Sequence, residues 1–67
     1  MKVYRIYVST IKENNGYFWI IAETYAFAVE KIVSIRKEYD SGFDETLIDD
    51  VALMGRAYID YRSPEKN

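Results

Sequence analysis

Sixty-seven residues carry nine Lys or Arg against eleven Asp or Glu, for a formal charge of -2, and include neither cysteine nor histidine. Disulfides are thereby excluded, a zinc site loses its usual ligands, and most histidine- or thiol-based catalytic templates fail. A chain of this length makes one domain that buries only roughly 60% of the surface its unfolded form exposes, so oligomerisation or partner binding is the supplement left to it.

The acidic balance argues against a large phosphate-contacting surface built on Lys and Arg. Seven tyrosines, three phenylalanines and one tryptophan are the unusual feature, because aromatic side chains concentrate in cores and at the centres of interfaces. No secretory h-region or membrane-length apolar run occurs. The expectation is a cytoplasmic protein with no membrane role.

Taken in chain order, "VYRIYVSTI" (residues 3–11) is β-branched and aromatic and reads as a strand, with Tyr4, Ile6 and Val8 on one face and Val3, Arg5, Tyr7 and Ser9 on the other. Asn14, Asn15 and Gly16 follow, the residue types that accept the positive φ of a tight hairpin. A second, antiparallel strand is expected from Tyr17 to Glu23. Its alternation sends Phe18, Ile20 and Ala22 one way and Tyr17, Trp19 and Ile21 the other, so both faces are apolar.

Thr24 stands where the period changes from two to 3.6 and is placed to cap a helix over "YAFAVEKIVSIRKEY". At about 100° per residue, Tyr25, Ala28, Val29, Ile32, Ile35 and Tyr39 share the core-facing stripe. Phe27 projects almost directly away from it. Either a neighbouring segment overlaps the first helical turn or Phe27 is exposed for a partner.

Gly42 is the expected left-handed cap after the helix, and Phe43 the anchor that folds the loop onto the core. The next segment has two readings. Asp44 with Leu47, Ile48, Val51 and Met54 would make a short helix; Val51, Leu53, Ala57, Ile59 and Tyr61 would alternate along a strand with a bulge at Gly55. The strand, from about Asp50 to Arg62, is preferred because "RAYIDYR" fits nothing else. "SPEKN" (63–67) reads as a polar tail outside a single domain of residues 1–62.

The fold expected is α+β: a β-β-α-β chain forming a three-stranded antiparallel sheet in the order 2-1-3, with one helix packed on one face. The helix-free face would display Arg5, Tyr7, Tyr17, Trp19 and Ile21, together with Met54, Arg56 and Tyr58 from strand three. With Phe27, these are the candidate partner-binding residues. So large an apolar display exceeds what a monomer normally leaves in water.

No site for catalysis, metal or cofactor is expected. Asp40, Asp44, Glu45, Asp49 and Asp50 match no calcium-loop spacing and read as a solvated acidic loop, no serine has a histidine to activate it, and the three glycines are isolated. The expected function is a non-enzymatic interaction module that self-associates or binds a protein through its aromatic sheet face. Single-stranded nucleic acid stacked on the same rings is the alternative. The stretch "IIAETYAFAVEKI" has the general look of a strand feeding a capped helix in small phage- or plasmid-encoded β-β-α-β proteins. That pattern motivates a further alternative, a mobile-element protein that blocks a host defence or regulatory complex by surface contact.

Overall fold

A computed structural model describes residues 1–57. Strand β1 (Lys2–Tyr7) pairs antiparallel with β2 (Tyr17–Ala22) on one side and with β3 (Asp50–Arg56) on the other, and helix α1 (Tyr25–Lys37) follows β2. The sheet order is therefore β2-β1-β3, as the alternation and connection lengths imply, and the chain is a small α+β domain. The expected extension of strand three to Arg62, the tail 63–67 and Tyr58 lie outside the described residues.

β1 stops at Tyr7, earlier than expected, because the chain turns at Ser9 and Thr10: the Ile11 N–H bonds back to the Val8 carbonyl at 3.1 Å while the Val8 N–H still reaches the Gly16 carbonyl at 2.8 Å. A short 3-10 segment, Glu13–Gly16, closes the hairpin with Asn14 at φ 52°, Asn15 at φ 56° and Gly16 at φ 84°. Glycine is required at the last position. A Cβ there would stand 2.5 Å from the Val8 carbonyl oxygen.

The core is formed by Tyr4, Ile6 and Val8 of the first strand segment, Ala22, Ala28 and Ile32, closed by Phe43. Ile6, Val8 and Ile32 are sealed from solvent, each worth about 1.5–3 kcal/mol of hydrophobic stabilisation. Phe18, Ile20 and Val51 pack half-buried beside them. Tyr4 stands opposite Ile20, and Ile6 lies between Phe18 and Val51. The inward parity of β1 and β2 follows from this register, whereas in β3 only Val51 packs on the core and Leu53, on the same row opposite Tyr4, is 60% exposed.

Thr24 caps α1 by accepting the Phe27 N–H at 3.2 Å, satisfying one of the donors every helix start leaves open. The helix ends at Lys37, one half-turn short of the expected Tyr39. Its buried line runs through Ala28 and Ile32 with Val29 and Val33 beside them, whereas Tyr25, Ile35 and Tyr39, placed on the core stripe by periodicity, are exposed. A single helix on a three-stranded sheet buries a narrow line, so the margins of a wide apolar stripe stay in solvent. Gly42 is not left-handed either. The helix closes through Glu38, and the Asp40 carboxylate takes the Gly42 N–H at 3.0 Å.

The segment read two ways resolves as a short 3-10 turn, Glu45–Leu47, followed by β3. Asp44 caps that turn, accepting from the Thr46 N–H at 2.9 Å and from the Thr46 hydroxyl. In β3 the register slips between Val3 and Tyr4, which face Gly55 and Leu53 in turn, leaving Met54 as the extra residue of a bulge. A bulge of one residue changes the face of everything beyond it.

Candidate interaction surface

The helix-free face of the sheet is built from the rows that pair Tyr7 with Tyr17, Arg5 with Trp19 and Val3 with Ile21. Across β1, the same rows meet Asp50, Ala52 and Gly55 of β3. The first two rows form a ladder of rings: Tyr7 and Tyr17 have centroids 4.8 Å apart, and Tyr17 and Trp19 6.2 Å apart, both tilted. Trp19 is 59% exposed, Ile21 is exposed at its flank, and Tyr7 and Tyr17 are half-buried.

Arg5 is held within this ladder. Its guanidinium lies 5.4 Å from the Tyr17 ring centroid and 4.0 Å from the Asp50 carboxylate. A cation over an aromatic face is attracted by the ring quadrupole, so Arg5 and Tyr7, both on β1, together hold the Tyr17 ring. The charge that would meet phosphate under the nucleic-acid alternative therefore has a carboxylate and a ring beside it.

The other candidates do not all join this face. Past the bulge Arg56 stands opposite Lys2, on the row of Tyr4 and Ile6 rather than on that of Arg5, which corrects its expected placement. Met54 is the bulged residue at the far edge, half exposed. Phe27 is 52% exposed and no described loop overlaps it; it faces β2 across an open groove of about 830 Å³, whose walls include Trp19, Ile21, Phe27, Lys31 and Ile35. The groove lies along the outer side of β2. Sequence reasoning missed this feature, although the order 2-1-3, which leaves β2 at an edge, and the off-stripe position of Phe27 both point to it.

The acidic loop is engaged in local backbone bonding. Asp40 and Asp44 serve the turn contacts already given, and Asp49 accepts the Ser9 N–H at 2.6 Å. Bonding to Thr46 lowers the Asp44 pKa, and bonding to the Ser9 backbone and hydroxyl lowers that of Asp49, because these bonds favour the charged carboxylate. Among the described residues no three Asp or Glu side chains converge as a metal site would require. No described helix is long and apolar enough to cross a membrane.

Comparison with protein-family models, with curated proteins and with solved structures returns no match for this chain.

Proposed function

We propose that the chain is a small non-enzymatic interaction module whose contact surface is the helix-free sheet face, centred on Tyr17 and Trp19, and that this face binds protein, either a second copy or another chain. The observation that carries the reading is the ordered aromatic ladder ending in a tryptophan more than half exposed. Trp, Tyr and Arg dominate binding energy at interfaces, and rings already fixed by their neighbours lose little freedom when a partner arrives.

Protein is favoured over single-stranded nucleic acid by the charges on the same face. Arg5 is already beside Asp50, and Arg56 sits on the opposite row. A strand of bases would find stacking surface but poorly placed cations for its phosphates.

The test compares the wild-type chain with Trp19→Ala by sedimentation over a range of concentrations, alongside titration with labelled single-stranded oligonucleotides at two salt concentrations. Association that Trp19→Ala removes, with oligonucleotide binding absent, supports the reading. Oligonucleotide affinity that falls steeply with salt and disappears in Trp19→Ala would transfer the face to nucleic acid.

A further inference from the structure

Among the described residues strand β2 has a partner on one side only. The bond from the Val8 N–H to the Gly16 carbonyl fixes the phase of the β1–β2 ladder: the even residues of β2 bond to β1, and the backbone groups of Tyr17, Trp19 and Ile21 point to the outer edge. Two of those six groups are already used. The Tyr17 N–H bonds to the Asn14 carbonyl, and the Lys31 ammonium donates to the Ile21 carbonyl at 2.7 Å. Four are left without a partner among the described residues: the N–H and C=O of Trp19, the C=O of Tyr17 and the N–H of Ile21.

We infer that a second copy of this chain adds to this edge, β2 against β2, through a two-fold axis at Trp19. In an antiparallel pair centred there, each Trp19 N–H meets the other Trp19 carbonyl, and each Ile21 N–H meets the other Tyr17 carbonyl. Every unpartnered group finds its complement. A full antiparallel pair would also join the Tyr17 N–H to the other Ile21 C=O; both groups are already engaged within the chain, by the Asn14 carbonyl and the Lys31 ammonium, so the pairing is held by four backbone bonds instead of six. The match of donors and acceptors thus selects both the occupant and its register.

The side chains agree. From Tyr17 to Ala22 the strand itself has no charge and no proline, and the Lys31 ammonium held at this edge by the Ile21 carbonyl falls at the Tyr17 end of the copy and not opposite its own equivalent, whereas β3 at the opposite edge carries Asp50, a bulge, Gly55 and Arg56. Charges and bulges are the usual means of protecting a sheet edge from pairing. A two-fold axis normal to the sheet keeps both helices on one side, so Phe27 and Ile35, 52% and 46% exposed, approach their equivalents across the groove. A whole aromatic side chain covers about 150–250 Å². On that scale Trp19, Ile21, Phe27 and Ile35 expose on the order of 400 Å² per copy, and two copies with the added backbone approach the roughly 1,000 Å² at which specific interfaces begin. The product is a six-stranded sheet with the two aromatic faces continuous on the side away from the helices.

Trp19 and Ile21 belong to both the edge and the face, but the edge pairing uses their backbone groups and the face their side chains, so amide exchange separates the two readings. Amide hydrogen exchange of the wild-type chain, followed against concentration, is the direct test: the Trp19 and Ile21 amides gain protection as the dimer forms, while that of Tyr17, already bonded, stays unchanged. Ile21→Pro removes an outward donor without touching the β1 ladder. It is expected to be a monomer with the wild-type circular dichroism, and Ile21→Ala, which keeps the N–H, to remain a dimer. A dimer whose Trp19 and Ile21 amides exchange as fast as in the monomer overturns the edge pairing and leaves the face reading standing. So does a folded Ile21→Pro dimer. A chain that stays monomeric to millimolar concentration also overturns it, and should Ile21→Pro fail to fold, the wild-type exchange decides alone.

Discussion

Trp19 and Ile20 are neighbours on β2 and face opposite ways: Trp19 is 59% exposed beside Tyr17, whereas Ile20 packs half-buried against the core opposite Tyr4. One strand thus carries the proposed contact surface on one parity and core packing on the other. Ile20→Ala is expected to cost about 2 kcal/mol, the low end of the range for such truncations because the side chain is only half-buried, and to leave any association of the folded fraction intact. Trp19→Ala is expected to change stability by less than about 1 kcal/mol and to weaken association at least tenfold. Urea denaturation and sedimentation on both variants check the pair. The reverse pattern, with Trp19→Ala unfolding the chain, would defeat the proposed surface.

Gly16 holds the hairpin between β1 and β2, and both its φ of 84° and the 2.5 Å approach to the Val8 carbonyl forbid a side chain. Backbone cannot yield as a flexible side chain could. Gly16→Ala is expected to destabilise by about 2 kcal/mol or more, visible as a lower urea midpoint. Asn15→Gly, at φ 56°, should be nearly neutral, since asparagine already tolerates that conformation. Equal effects at the two positions would show that the hairpin is not held as described.

Much of this architecture is legible in the sequence because period-two and period-3.6 patterns meet at an unambiguous cap. Thr24, the Asn14–Asn15–Gly16 turn and the inward set Tyr4, Ile6 and Val8 can each be read without coordinates. What cannot be read depends on more than one element at a time. The exposure of Ile35 and Tyr39 follows from where the helix lies on a narrow sheet. The face of Arg56 follows from the bulge itself, since one extra residue before it, at Met54 or at Gly55, turns it to the row of Lys2. The hydrogen-bond phase of β2 depends on the Val8 to Gly16 bond, which no side-chain pattern encodes.

Arg36 binds the hairpin to the helix end. Its guanidinium lies 5.5 Å from the Phe18 ring and 5.1 Å from that of Tyr39, and bonds to Glu13 at 3.1 Å, with only 15% of the side chain exposed. A planar guanidinium stacks between rings as an ammonium does not. Arg36→Lys is therefore expected to lose about 1 kcal/mol, more than Glu13→Gln, whose carboxylate is 70% exposed and screened by solvent. Thermal unfolding of the two variants in low and high salt separates the contributions: salt should erase the effect of Glu13→Gln and leave most of that of Arg36→Lys. If salt removes both, stacking is not what holds Arg36.

Asp49 joins the end of β1 to the start of β3, accepting the Ser9 N–H at 2.6 Å while its own N–H donates to the Tyr7 carbonyl at 2.8 Å. Hydrogen bonding to Ser9 favours the charged carboxylate and depresses its pKa in the folded state below the ordinary 3.8. The unfolded chain thus takes up the proton first as pH falls. The stabilisation is present in full above the unfolded value and is lost as pH drops from there through the depressed folded value. Asp49→Asn is therefore expected to lower stability at pH 7 and to approach wild type as pH falls through the depressed folded value and the Asp49 carboxyl becomes neutral too. Urea midpoints of both chains from pH 7 down to pH 2 measure the difference. A gap that is constant across that range would mean that the carboxylate charge contributes nothing and that Asp49 acts through its shape alone.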